Sequence, residues 1–280
     1  MTLDIDHLRT WIGREEVQSE LVTTALVQRF NATFDRESSL EEGGGAPLLI
    51  HLCLAQPAVA TAELGPDGHP ARGDFLPPVP LPRRMWAGGQ FTFHDDIRIG
   101  ELVRRRSEIE GVTVKQGRSG VLCFVTVTHH IESAGRKVLT ERQDIVYREV
   151  PAADTAPPKT APDPAPSGQH SRKIAATPTL LFRYSALTFN GHRIHYDAPY
   201  VRRDEGYPGL IVHGPMQATM LAQYAADLRG ATPAQFAFRS LSPIFDTSDF
   251  TLNARDGKDA MKLWSAADAG PVAMEATAQW

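Results

Sequence analysis

Residues 183–197 read RYSALTFNGHRIHYD and gather Tyr184, Ser185, Thr188, Asn190, His192, His195, Tyr196 and Asp197. A segment serving only as core would not carry so many groups that demand hydrogen-bond partners when buried. The bland alternative is a polar surface turn. Imidazole is the natural proton carrier here, because its ordinary pKa lies near neutrality. Arg193, between the two histidines, adds a fixed positive charge.

A second signal lies downstream, in the run Ile211-Val212-His213-Gly214-Pro215. Apolar positions after Pro215 recur at helical spacing through residue 228, and Gly230 supplies a stop. Pro is favourable in the first helical turn, where its missing N–H would be unpaired anyway. Gly214 has no side chain, so a ligand can approach its backbone. Its N–H and the positive helix end could meet a developing negative oxygen. Taken alone, His-Gly-Pro before a helix is more often just a cap.

Other chemistries find little support. His192 and His195 have H-x-x-H spacing and His129 and His130 are adjacent, but no set of three or four metal ligands is legible. The chain lacks G-x-G-x-x-G, a Walker pattern and G-x-S-x-G. Arg104, Arg105 and Arg106 fall on a strand pattern that places Arg105 on the face of Val103 and Ser107. They read as a charged solvent face or as an anion contact, as do Arg83 and Arg84.

The elements that position these residues form two units. Residues 151–170, PAADTAPPKTAPDPAPSGQH, hold eleven Pro and Ala among twenty and no large apolar side chain. Such a segment cannot offset its ordering entropy and reads as an extended spacer. It predicts units at 1–150 and 171–280. In the first, a helix capped by Asp6 and an amphipathic helix over 17–34 precede a Gly/Pro-rich loop over 65–90. Strand patterns follow at 90–94, 102–109, 111–116, 121–130 and 143–149. Residues 47–54 are apolar and of undecided type. In the second, residues 179–189 read as opening with a strand, the helix over 215–228 follows, and strands at 236–241, 249–254, 261–267 and 272–279 close the chain. A helix and a meander, twice, suggest structural duplication by element order alone.

The chain has 280 residues, 42% apolar and 22% charged, with a formal net charge of −4. That balance argues against nucleic acid as a main partner. The longest apolar runs fall far short of the ~20 residues that span a bilayer, so no membrane partner is expected. The acidic N-terminus lacks a signal-peptide core. Cys53 and Cys123 sit in apolar surroundings and read as buried free thiols of a reducing cytoplasm.

At the histidine cluster a family becomes recognisable. YSALTFNGHRIH resembles the S/T-x-D-x-N-P-x-H signature of MaoC-like (hydratase-2) hot-dog enzymes, with Thr188, Asn190 and His195 in the S/T, Asp and His places. Residues 211–214 resemble the segment whose glycine N–H serves as oxyanion donor. GHPARGDFLPPVPLPRRMWAGG, KQGRSGVLCFVTVTHHIE and TERQDIVYRE are similar to the N-terminal half of mesaconyl-C4-CoA hydratases, relatives of type 2 3-hydroxyacyl-thioester dehydratases.

The resemblance implies an α+β double hot-dog, two antiparallel sheets each wrapped around a central helix. Its 171–280 half would be catalytic; its 1–150 half would carry no Asp/His pair and would help form the acyl pocket. It implies a hydro-lyase that adds water to an α,β-unsaturated acyl-CoA thioester, most typically a short branched dicarboxylyl-CoA such as mesaconyl-C4-CoA, without a cofactor. Alternatives are a 3-hydroxyacyl-CoA or acyl-carrier-protein dehydratase, an itaconyl-CoA hydratase, a thioesterase and a non-catalytic thioester-binding subunit. His195 would move the proton, Asn190 hold the water and Gly214 meet the thioester oxygen. An amide cannot serve as a base, so Asn190 leaves the proton chemistry to His195. Tyr184, Ser185, Thr188, His192, Arg193, Asp197 and His213 are expected to line the substrate site, with Asp197 or another carboxylate orienting His195. Arg83, Arg84, Arg105 and Arg193 are candidates for the free carboxylate. Analogy adds a cytoplasmic homodimer.

Overall fold

The computed structural model describes residues 3–117, 120–149 and 163–280. The first half contributes β1 (Glu15–Leu21), β2 (Arg83–Phe93), β3 (Leu102–Gly117), β4 (Gly120–Ser133) and β5 (Arg136–Arg148). The second contributes β6 (His170–Ile174), β7 (Gln235–Ser240), β8 (Phe250–Arg255), β9 (Met261–Ala267) and β10 (Val272–Gln279). All ten join one sheet in the order β1-β3-β4-β5-β2-β7-β10-β9-β8-β6. The fold class is α+β, and the two antiparallel half-sheets are continuous through β2 and β7.

That junction explains the glycine pair in WAGG. A Cβ on Gly88 would stand 2.7 Å from the Phe238 carbonyl oxygen, and one on Gly89 within 2.9 Å of the Phe238 ring. A register shift between Trp86 and Gly88 re-aims Trp86.

The long helix α5 (Gly214–Arg229) is the central element of the second half. Its residues from Met216 to Ala225 are all buried, as expected for a helix wrapped by a sheet. Pro215 opens it, and Gly230 closes it at φ 74°, a conformation glycine adopts without Cβ strain. In the first half the corresponding apolar run is a short 3-10 turn, Ile50–Cys53, preceded by α2 (Thr24–Thr33). The main core is shared: Phe30, Ile50, Leu54 and Phe91 pack in one cluster with Leu181, Leu221, Phe236 and Phe250. A second cluster, with Tyr147, Val79 and Leu81, lies in the first half alone.

Several expectations are corrected. The helix expected over 17–34 is β1 followed by α2, which starts where the Thr23 side chain accepts from Leu26 N–H. Apolar spacing had run two elements together across Val22. Residues 178–187 form a helix, α3 (Pro178–Leu187), and not a strand; Thr177 caps it and Pro178 occupies the first turn. The short helix α1 (Ile5–Arg9) is capped by Asp4, not Asp6. The strand β2 begins at Arg83, inside the expected loop, because only its outer prolines are incompatible with the ladder. Residues 102–116 are one strand with an irregularity between Ile109 and Gly111, not two. The strand β6 had no signal. Of the Pro/Ala-rich segment, residues 151–162 lie outside the described residues. Residues 163–169 are held against the second half: Ala165 N–H donates to Gly270 O and Trp264 Nε1 to Pro166 O. Cys53 and Cys123 are buried free thiols, as expected.

Candidate active site

His195 ends a 3-10 turn, Arg193–His195, between α3 and α4 (Ala198–Arg203). It is buried, and its Nδ1 lies 2.7 Å from the Ile211 carbonyl oxygen. A carbonyl can only accept, so Nδ1 carries the hydrogen and Nε2 of the neutral ring keeps its lone pair. Burial pushes the His195 pKa down to about 4, against the opposing pull of the Ile211 carbonyl. The ring is therefore neutral at pH 7. A backbone carbonyl orients it, not Asp197. Asp197 instead receives Arg193 Nε at 3.0 Å and Nη2 at 2.8 Å, and caps α4 through Tyr200 N–H.

The ring of His213 stacks on that of His195 with centroids 3.6 Å apart and planes 17° apart. His213 Nε2 is 2.8 Å from Ser185 Oγ, and the Tyr184 ring lies 5.0 Å away at 66°. Burial, and then the facing His195 and His192, hold His213 well below the usual histidine range. The chain passes directly from His213 into α5, so Gly214 N–H stands in the first turn, where no intrahelical acceptor exists. A Cβ there would meet Trp86 Cε3 at 3.8 Å and Ser240 Oγ at 4.0 Å. The polar atoms Trp86 Nε1, Ser240 Oγ, His213 Nδ1 and Tyr184 OH are all buried without a hydrogen-bond partner among the described residues. Such orphans concentrate where a ligand binds.

Asn190 shapes the turn rather than touching His195: its Oδ1 accepts from His192 N–H at 3.0 Å. One lone pair of that oxygen and the Nδ2 donors stay available for water. The preceding residue, Phe189, holds φ 48° with its ring exposed. A bulky side chain in that region stores strain, a feature common beside functional sites. Thr188 Oγ1 bonds back to Tyr184 O at 2.8 Å and secures the end of α3.

The first half supplies two side chains that sequence reasoning missed. Asp67 and His69, in the turn GPDGHP, are joined by a 3.1 Å bond between Oδ2 and Nδ1. The His69 ring lies 3.9 Å from the His192 ring, and His192 lies 5.4 Å edge-on to His195. The turn is tied to the site by Arg193, whose N–H donates to Asp67 O and whose Nη1 donates to Pro66 O. The first half thus brings an Asp and a His of its own beside the site, two residues apart and outside the five-residue spacing of the signature pair. The only local hint was an Asp and a His two residues apart. Burial is the largest influence lowering the pKa of both His69 and His192. Asp67, His69 and His192 bring one possible ligand atom each within 4.8 Å of one another, the one grouping among the described residues that could hold a metal ion.

Of the four arginines expected near the site, three have partners. Arg83 reaches Glu205 and Tyr207, Arg105 reaches Ala55 O and Glu16, and Arg193 holds Asp197. Arg84 forms no ion pair among the described residues.

A buried neutral imidazole, stacked on the residue that caps a helix N-terminus, can take up a proton while helix N–H groups meet a developing negative charge. A family model for hydroxyacyl-thioester dehydratase type 2 matches residues 49–246. The chain belongs to this family, and it is a hydro-lyase of acyl thioesters. It is 42% identical over 277 residues to a mesaconyl-C(4)-CoA hydratase of Chloroflexus aurantiacus, covering 96% of each chain. Among solved structures, a MaoC-like dehydratase from Phytophthora capsici superposes with TM-score 0.73 at 11% identity, covering 99% of this chain and 98% of the other. A conserved hypothetical protein of Mycobacterium tuberculosis, described as a double hotdog fold, superposes with TM-score 0.58 at 13% identity over 96% of each chain.

Proposed function

We propose that this protein reversibly adds water across the double bond of a short α,β-unsaturated dicarboxylyl-CoA, with mesaconyl-C4-CoA as the substrate. The observation that carries the reaction is the fixed tautomer of His195, whose Nδ1–H is held by Ile211 O and whose Nε2 is a free base. The similarity to the Chloroflexus hydratase over nearly the whole chain supports the acyl group.

In hydration, His195 Nε2 takes a proton from water as the hydroxyl oxygen bonds to the β-carbon. The π electrons move toward the thioester, whose oxygen gains charge. Gly214 N–H and the α5 dipole meet that charge; losing one such donor typically costs ~2.7–4 kcal/mol of barrier. The imidazolium then returns its proton to the α-carbon, so no net proton is gained or lost. Asn190 holds the water. His213, backed by Ser185, keeps the His195 ring from turning. Tyr184 walls the site behind His213, and His192 separates His195 from the first-half turn. Thr188, Arg193 and Asp197 hold the loop in shape. The 171–280 half thus carries the proton chemistry, and the 1–150 half closes the acyl site through Trp86 and His69.

The same reading places the protein in the cytoplasm as a homodimer. Two buried free thiols support a reducing compartment, and β1 and β6, each paired on one side in the chain, offer edges to a second copy. The deciding assay follows loss of the enoyl-thioester absorbance with mesaconyl-C4-CoA, itaconyl-CoA and crotonyl-CoA, for wild type and His195→Ala. Turnover of the diacid thioester, lost in the variant, supports the reading. Binding of thioester without turnover of any of the three refutes it.

A further inference from the structure

Arg84 pairs in register with Tyr147 across β2 and β5, so the two side chains leave the sheet on the same face. Tyr147 is fully buried, and its hydroxyl has no hydrogen-bond partner among the described residues. The Arg72 guanidinium lies 5.6 Å from the Tyr147 ring centroid and bonds only to the carbonyls of Val79, Leu81 and Pro82. Two guanidiniums thus stand in this corner without a carboxylate of their own among the described residues. Asp67, in the turn beside them, is already bonded to His69. The two imidazoles that feel Arg84, His69 and His192, are held toward their neutral forms, so they add no charge to that of the guanidiniums. The excess charge is positive, which disfavours a cation on Asp67, His69 and His192 and favours an anion.

Alternation along the strand sets the distance from the reaction centre. Trp86, beside Gly214, projects from the same face as Arg84 two residues away. At a strand rise of about 3.3 Å per residue, their Cα atoms are about 6.6 Å apart. A four-carbon diacid whose thioester oxygen sits at Gly214 and whose chain runs along β2 brings its far end toward Arg84.

Building on the hydratase reading above, we propose that Arg84, with the Tyr147 hydroxyl, receives the free carboxylate of the acyl chain and so selects dicarboxylyl thioesters. Charge-assisted bonds to a guanidinium suit a carboxylate, and a buried phenol supplies one more donor.

The test compares kcat/KM of wild type, Arg84→Met, Arg84→Lys and Tyr147→Phe on mesaconyl-C4-CoA and crotonyl-CoA, and on the mesaconyl thioester of pantetheine, which lacks the nucleotide phosphates. The expected result is a fall of about 10- to 100-fold in the ratio of diacid to crotonyl activity for Arg84→Met. Arg84→Lys, retaining charge, should fall less, as should Tyr147→Phe, and the pantetheine thioester should show the same loss as the CoA thioester. An equal loss on both CoA thioesters overturns the proposal while leaving the hydratase reading intact. So does a loss that disappears on the pantetheine thioester, which would make Arg84 a CoA-phosphate contact. Wild-type turnover of crotonyl-CoA alone overturns the substrate reading and this proposal with it.

Discussion

The imidazoles of His195 and His213 lie face to face, centroids 3.6 Å apart, each pinned from outside the stack. Ile211 O holds His195 and Ser185 Oγ holds His213. Neither ring can turn without breaking a hydrogen bond and a stacked contact. In the proposed reaction the base is thereby aimed before substrate arrives, which lowers the entropy cost of reaching the reacting geometry.

His213→Phe should keep the stack and lose the bond to Ser185. We expect kcat to fall about tenfold, less than the ~10²- to 10⁴-fold that general acid–base catalysis itself supplies, with KM little changed. His195→Gln should cost about 10²- to 10⁴-fold in kcat. Steady-state assays separate the two. A fall for His213→Phe confined to KM would refute a positioning role.

The pH profile follows from the lowered imidazoles. Activity requires neutral His195, whose pKa is pushed down to about 4 by burial. The profile of kcat/KM should therefore stay flat from pH 8 to about 5 and fall below it. A midpoint near the ordinary histidine value of about 6.5 would contradict the buried tautomer.

Stability should move the same way. In His69, His129, His192, His195 and His213 burial lowers the folded-state pKa, to about 4 for His129 and His195. The unfolded chain then takes up protons that the folded chain refuses. The stabilisation is complete above the unfolded value of about 6.5 and is lost as pH falls through that value toward about 4. Each such group contributes up to about 1.4 kcal/mol per pH unit in that window. Melting temperatures from pH 8 to 4.5 should fall most steeply below 6.5; a level curve there would refute it.

Gly68 has φ 86°, and a Cβ there would lie within van der Waals overlap of Gly191 O, at 1.9 Å. Gly68→Ala must push apart the turn holding Asp67 and His69 and the loop holding His192. An ångström of misplacement can cost about 100-fold in rate. The expected outcome is a loss of that order in kcat/KM with circular dichroism unchanged. Full activity would show that the first-half turn does not shape the site.

Gly89→Ala probes the sheet junction, where a Cβ would collide with the Arg142 carbonyl oxygen of β5 and press on the Phe238 ring at 2.9 Å. Overpacking of this kind costs about 1–3 kcal/mol. The melting temperature should drop by several degrees, in one cooperative transition, because the core is shared across the junction. Two separate transitions would mean that the halves fold independently.

Where local rules suffice, the chain was legible. The helix α5 carries its start in Gly214-Pro215 and its stop in Gly230, and the strand patterns at 261–267 and 272–279 coincide with β9 and β10. Where two elements abut with compatible apolar spacing, local rules failed. Leu21 and Ala25 fit one helical stripe, yet the Thr23 cap divides a strand from a helix. Residues 178–187 had their deciding signals, Thr177 and Pro178, beside the apolar run that masked them.

Residue types, spacing and the family signature around them pointed to a class of chemistry: an imidazole at 195 and a glycine at a helix start. Tertiary structure decided the partners. Ile211 O, and not Asp197, orients His195, because hydrogen-bond geometry depends on which backbone folds beside the ring. Asp67 and His69 reach His192 from more than a hundred residues away, and Arg84, unlike Arg83, Arg105 and Arg193, forms no ion pair among the described residues. Burial and pairing are properties of the packed chain, and no spacing rule encodes them.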